Sequence, residues 1–501
     1  MHLEAKRLTG KIWPSKMFLR SLSSRKSEES SGRSLVLSTM KSFSATRFFA
    51  SITLFCAVFA CFETIGKSQL PIESEKMQLL NGLRVTVIPR AGDQDVLIKL
   101  RINSGAAFDL AGKAGMTALL GDLFFPDPTT REYFSEEMQG RLNVSTGYDA
   151  ITVTMQGRAR ELERILEILR TAVVTPQLTP DNVAKARDGR IKVTRDAGIS
   201  PVIVADRAIA ARLFGDFPYG RPNNGSVESL ERIERSDLML ARDRFLNPNN
   251  ASLVIIGGVQ PARTMRAVRQ LLGVWRKSEQ VIPSTFRQPV SPEPKTLVVN
   301  APGDQSVEVR LAVRGLARKD PDSTAAAVLA NVLRQRLEKS IPELSRSPVF
   351  VRHDAMTLPG IFVVGASIDH LLAGKFLTDA REAIRSLAAV AVSPAEIEQA
   401  KSELLAARNK ELAKPEGVAD SLLDMDTYGV PLASEQLRQI SALSPADLQR
   451  VATRLFKDAT VASVVVGNSQ LIKANVERYG KIELIGEVNN PADPVKTPAK
   501  P

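Results

Sequence analysis

The sequence predicts an α+β protein of two tandem homologous domains. Three observations predict it: one pattern occurs twice, strand and helix periods alternate within each occurrence, and the composition can fill two cores. Of 501 residues, 44% are hydrophobic and 24% charged, close to the globular average. That length carries a prior of two to three domains and excludes neither a large core nor several. The duplication is offset by about 210 residues. Gly92-Asp93-Gln94-Asp95-Val96 matches Gly303-Asp304-Gln305-Ser306-Val307, and Tyr219-Gly220-Arg221-Pro222 matches Tyr428-Gly429-Val430-Pro431. Leu230 and Ile233 before Asp237-Leu238 match Leu437 and Ile440 before Asp447-Leu448. Arg244-Phe245-Leu246 matches Arg454-Leu455-Phe456, and Ala251–Ile255 matches Ala462–Val466. Matches that keep their order and spacing imply two copies of one fold.

Each copy reads as strand, strand, helix, strand, helices, strand, helix. Leu83–Pro89 and Val96–Asn103 alternate apolar and polar residues, the pattern of half-buried strands. Met116, Leu119, Leu120, Leu123 and Phe124 recur at helical spacing. Ala150–Gln156 is a further strand, and Leu162, Ile165, Leu166 and Leu169 line a helix face. Thr179-Pro180-Asp181 opens another helix, with proline in its first turn. Ser236-Asp237 and Ser444-Pro445 are similar start signals. Residues 276–295, with four prolines and little periodicity, read as a linker. The domains are therefore placed at 75–275 and 296–487, and residues 488–501, rich in Pro and Lys, as a disordered tail.

Residues 1–61 are expected to be a leader and signal peptide. An uncharged apolar run, Phe48–Phe62, follows Lys41 and Arg47, and Met40 is a candidate true start. The run is short for a membrane span. The expectation is an exported protein, periplasmic or membrane-associated, touching the membrane only through an uncleaved signal segment. The net charge is +12, but residues 1–61 hold ten of the basic residues and only three acidic ones. The body interleaves its charges and aromatics are 5%, which argues against a nucleic-acid surface. His2, His353 and His370 are the only histidines, and Cys56 and Cys61 the only cysteines. A Cys–His pair, a cysteine-rich zinc cluster or a disulfide framework is hard to build from these. No Gly-x-Ser-x-Gly elbow, phosphate loop or dinucleotide glycine fingerprint is present.

Five further segments carry a recognisable order: Asn81-Gly82-Leu83-Arg84-Val85, Gly105-Ala106-Ala107 with Ala114-Gly115-Met116, Gly140-x-Leu142-Asn143 with Thr146, Pro218–Pro222, and Asn247–Gly257. Taken in that order they resemble the pitrilysin/insulinase metallopeptidase family, which includes processing peptidases and the respiratory core proteins. The resemblance implies, in each domain, a mixed or antiparallel β-sheet with helices packed on it.

Family members carry H-x-x-E-H on the first long helix. Two imidazoles at i and i+4 share one face and bind Zn²⁺, while the Glu between them polarises water. Here the motif falls on Ala118-Leu119-Leu120-Gly121-Asp122. Ala118 brings no ligand atom, Gly121 no general base, and Asp122 alone is a weak zinc site. The family's third ligand would fall near Arg190–Lys192, a basic stretch with Asp188 its only nearby acid. No catalytic residue and no metal site is therefore expected in this chain. His353 and His370, 17 residues apart, are expected to be ordinary surface or loop residues.

The resemblance implies a non-catalytic subunit of an exported processing-peptidase-like complex. It would pair with a zinc-bearing homologue, the zinc lying in that partner, and help enclose and hold a peptide substrate. The substrate edge would lie near Asn143–Thr154, with Asn143, Ser145 and Thr146 suited to strand pairing. The family's substrate-holding Arg/Tyr segment corresponds to Arg334–Val351. There Arg334, Arg336 and Arg346 are present, and Val349 or Phe350 stands at the Tyr position. Two alternatives remain: a scaffold or binding protein like the respiratory core proteins, and an active metallopeptidase with a rebuilt site.

Overall fold

The computed structural model describes residues 74–279, 286–301, 306–341 and 349–486. The leader, the tail, Gly303–Gln305 and Arg346 lie outside the described residues. The first copy forms strands β1 (Glu75–Gln78), β2 (Arg84–Pro89), β3 (Asp95–Ile102), β4 (Arg141–Thr146), β5 (Ile151–Arg158) and β6 (Ala251–Gly257). They make one six-stranded sheet in the order β1-β2-β6-β3-β5-β4. β2 and β6 run parallel and every other neighbour antiparallel. The second copy repeats this with β7 (Thr296–Asn300), β8 (Ser306–Arg314), β9 (Phe350–Asp354), β10 (Ile361–Asp369), β11 (Ala462–Gly467) and β12 (Ile482–Ile485). Its order is β12-β7-β11-β8-β10-β9. The fold is α+β with two mixed sheets, as the sequence and the resemblance imply.

The copies differ at one outer strand. β1 precedes β2 in the chain and pairs with it antiparallel. In the same place β12 arrives from the C-terminal side and pairs parallel with β7.

Each sheet buries one face under its own helices. In the first copy Leu162–Val174 and Pro261–Leu272 supply Ile165, Leu166, Leu169, Val268 and Leu272 to a core with Val96, Ile98, Leu100 and Ile102 of β3. In the second, Ser323–Ser340, Ala373–Ala389 and Pro445–Phe456 do the same against Val307, Val309 and Leu311 of β8.

The other face of each sheet is covered by a helix from the opposite copy. Helix Pro201–Phe214 packs Ala205, Ile209 and Leu213 against Leu297, Ala312, Val363 and Val464 of the second sheet. Helix Pro415–Tyr428 packs Val418, Ala419 and Leu423 against Ile88, Leu97, Val254 and Ile256 of the first. Both helices have 14 residues. Both begin with Pro-x-x-Val-Ala-Asp, at Pro201–Asp206 and Pro415–Asp420. Ala205 and Ala419, each fully buried, let the helix backbone approach the sheet.

This exchange corrects one expectation from sequence. β3 is not half-buried: all its residues after Asp95 are buried. Its polar positions Lys99 and Arg101 face the incoming helix, where Lys99 Nζ lies 2.5 Å from Asp420 and Arg101 Nη1 2.6 Å from Asp424. The match of Val96 with Val307 equates Lys99 of β3 with Arg310 of β8, and both reach an exchanged helix. Arg310 Nε lies 2.7 Å from Asp206 of the other exchanged helix. The two ion pairs thus occupy equivalent places. Arg310 also bonds Glu308 at 2.9 Å, and its side chain is 1% exposed.

Removing one member of a buried pair leaves an uncompensated charge. Arg310→Ala strands Glu308 and also deletes the contact of Arg310 with the Phe350 ring, 4.9 Å away. The expected loss is about 3 kcal/mol of unfolding free energy, read from urea denaturation. A loss below about 0.5 kcal/mol would contradict this account of the interface.

Candidate functional site

The helix Met116–Asp122 follows Gly115, whose φ of 90° lies in the left-handed region. A Cβ at Gly115 would also meet Gly225 Cα at 2.7 Å, so the segment around Gly225 packs against the helix start. Asp109 caps that start. Its carboxylate accepts from Gly115 N at 2.7 Å, Thr117 N at 2.9 Å and Thr117 Oγ1 at 2.5 Å. Burial pushes the Asp109 carboxyl up to about 6, against the lowering effect of the bonds from Thr117 and Gly115.

Met116, Leu119 and Leu120 bury the helix in the first core. Ala118 and Gly121 are buried too, and β4 lies against Gly121. A Cβ at Gly121 would stand 3.1 Å from Thr146 Oγ1 and 3.3 Å from Val144 Cγ1, tighter than ordinary contact. At the helix end, Asp122 accepts two bonds from Arg190: Nε to Oδ2 at 2.5 Å and Nη2 to Oδ1 at 2.6 Å. Arg190 stands on helix Pro180–Ala197, where the resemblance would put the third ligand. Its Nη1 donates to Asn224 Oδ1 at 3.2 Å.

These residues do not fit a zinc ion. A methyl group, a glycine and a carboxylate already engaged by a guanidinium replace the donor set. No three His, Cys, Asp or Glu side chains cluster as a metal site among the described residues.

β4 is the outermost strand of its sheet. Gly147 N donates to Ala150 O at 2.9 Å. Counting back along the register, Asn143 and Ser145 turn their backbone groups to β5, and Val144 and Thr146 turn theirs outward. The Thr146 carbonyl is engaged by Asn223 Nδ2 at 3.3 Å. The side chains divide the other way. Asn143 and Ser145 are exposed, whereas Val144 and Thr146 face the helix. The three polar residues singled out from sequence thus lie on two faces of one strand.

In the second copy Arg334 is tied to Glu338 and Glu403, and Arg336 to Glu396. Phe350 lies under the guanidinium groups of Arg310 and Arg352, 4.9 and 4.8 Å from its ring centre. His353 corrects the expectation of a surface or loop residue: it sits on β9 opposite Phe362, and its Nε2 accepts from Leu316 N at 2.9 Å. Burial lowers its pKa to about 4, so it is neutral at pH 7. His370 follows the far end of β10, roughly 26 Å along the strand at β spacing, so the two do not converge.

Sequence reasoning missed Asp149, in the turn between β4 and β5. It accepts from Tyr219 Oη at 2.9 Å and from Thr357 N of the second copy at 2.9 Å. Tyr428 bonds it as well, and burial raises its pKa. Tyr219 Oη in turn accepts from Leu358 N at 3.1 Å, and the Tyr148 ring lies 5.1 Å from that of Tyr219. The repeated Tyr-Gly pair at 219 and 428 was the available signal; both tyrosines meet at this junction.

The profile described as Insulinase (Peptidase family M16) matches residues 84–222, and Peptidase M16 inactive domain matches 232–404. The chain belongs to the insulinase (M16) peptidase family. This M16 chain is 22% identical over 424 residues to an uncharacterized zinc protease of Rickettsia bellii, covering 78% of itself and 97% of that protein. It is 24% identical over 276 residues to one of Mycobacterium bovis, covering 53% of itself and 63% of the relative. Among solved structures, a protease from Helicobacter pylori superimposes with a TM-score of 0.71 at 19% identity, covering 79% of this chain and all of that one. A peptidase M16 inactive domain from Pseudomonas fluorescens gives 0.70 at 16%, covering 79% and 98%. A chain of Complex III2 from Candida albicans gives 0.69 at 16%, covering 81% and 99%. These likenesses establish the M16 fold.

The cap makes one pH dependence testable. The folded-state pKa of Asp109 is raised from 3.8 to about 6. Its stabilising share is therefore complete below the unfolded value and lost as pH rises through about 6. Relative to Asp109→Asn, which does not titrate, the wild-type chain should lose roughly 2–3 kcal/mol between pH 4 and 7. Parallel stability curves for the two proteins across that range would refute it.

Proposed function

We propose that this M16 chain is a non-catalytic subunit that pairs with a zinc-bearing homologue and helps enclose and hold a peptide while the partner cleaves it. The observation that carries the reading is the Asp122–Arg190 pair, standing where donor atoms would be needed, beside an outer strand with outward backbone groups. No hydrolytic step is assigned to this chain. Its contribution is positional: an extended peptide adds to β4 and is held by main-chain hydrogen bonds. The apolar run before residue 62, following Lys41 and Arg47, supports action after export, in the periplasm or at the membrane.

The test is reconstitution with a homologue carrying intact H-x-x-E-H. Peptide cleavage should require both chains. Val144→Pro removes one outward N–H without breaking the bonds to β5, and should raise KM about tenfold while the two chains still co-elute. Full activity of the homologue alone, unchanged by this chain, would refute the partnered role. A stable assembly that leaves turnover unchanged would give the scaffold reading instead.

A further inference from the structure

The mismatch between this site and a metal has a positive side. Three separated segments meet at Arg190: the end of helix Met116–Asp122 through Asp122, helix Pro180–Ala197 that carries it, and the segment holding Asn224. We infer that Arg190 is a built-in cation that takes the structural place of a metal ion, cross-linking these segments beneath β4 so that the site keeps its shape without metal. The inference concerns the chain's own architecture and stands whether or not the chain serves a peptidase.

The geometry suits this role. A metal joins elements by drawing several oxygen or nitrogen donors to one positive centre. The guanidinium does so with its fork: two donors go to the two oxygens of Asp122 and a third to the amide oxygen of Asn224. A lysine could supply the charge but not the paired, planar contact. The arrangement is also guarded. The Arg190 side chain is 17% exposed and that of Asp122 35%, so water competes only in part with the pair. Neighbouring contacts bring the partners within reach of Arg190. Gly225, next to Asn224, is packed on Gly115, and Ser229 Oγ donates to Ala114 O at 2.8 Å. A cation fixed there also opposes entry of a second one, because Asp122 has no oxygen free of the guanidinium. The basic stretch that argued against a third ligand is thus the part that replaces the ion.

The inference is tested by amide hydrogen exchange on the purified full chain. Arg190→Ala and Asp122→Ala should each speed exchange about fivefold or more in Met116–Asp122 and at Gly225, whose N–H donates to Pro222 O. Helix Ser323–Ser340 of the second copy should be unchanged. Arg190→Lys should fall between wild type and Arg190→Ala. The charge-swapped double variant Asp122→Arg/Arg190→Asp should recover protection lost by either single alanine variant. Adding zinc or a chelator should leave wild-type exchange in these segments unaltered. Unchanged exchange in Arg190→Ala would overturn the inference. So would a swapped variant no better protected than the single variants, or wild-type protection that depends on zinc.

Discussion

Everything in this structure depends on the reciprocal exchange of one helix between the two copies. A six-stranded sheet covered on one face leaves the other face to be buried. Each copy solves this for its neighbour, Pro201–Phe214 lying on the second sheet and Pro415–Tyr428 on the first. The covered faces are not purely apolar. Lys99, Arg101 and Arg310 project from the central strands, and Asp420, Asp424 and Asp206 come from the helices to meet them. Buried cations of this kind are tolerable only with their acids in place. The pairs therefore fix which helix lies on which sheet as well as contributing to cohesion. Arg318, which also reaches Asp424 at 2.7 Å, extends the network along the same helix.

That constraint positions the candidate site. With the copies held together, the Thr357–Leu358 turn of the second reaches Asp149 and Tyr219 of the first. The turn after β4 is thereby anchored across the junction, and β4 is held at the edge of its sheet beside helix Met116–Asp122. The start of that helix is set by Asp109 and its end by Arg190. Gly121 lies close against Val144 and Thr146 of β4, with no room for a larger side chain. At the motif positions stand Ala118, Gly121 and an Asp122 already bonded by Arg190.

The legible and illegible parts of this fold divide along physical lines. Strands β2, β3 and β5, the helix at Met116 and the helix opened by Thr179 announce themselves through local periods and caps, which depend on neighbours in sequence. The burial of Lys99 and Arg101 does not. Alternation reads the same whether the polar face meets water or another copy's aspartates, and only the repeated Pro-x-x-Val-Ala-Asp hinted at the exchange. Asn143, Ser145 and Thr146 were found as polar residues on an edge strand. Which of them turns its backbone outward is a matter of hydrogen-bond register, set by the turn at Gly147–Ala150. His353 carries no sequence mark of its burial against Leu316.

The sequence by itself determined the duplication, the α+β class and the absence of imidazole and general base from the first helix, because these are properties of residue identity and local order. The tertiary structure alone decided what fills the gap. Asp122 and Arg190 are 68 residues apart, and nothing in their spacing says that one guanidinium will clamp one carboxylate. Packing of helix Pro180–Ala197 beside helix Met116–Asp122 brings them together, and the guanidinium fork then meets both carboxylate oxygens.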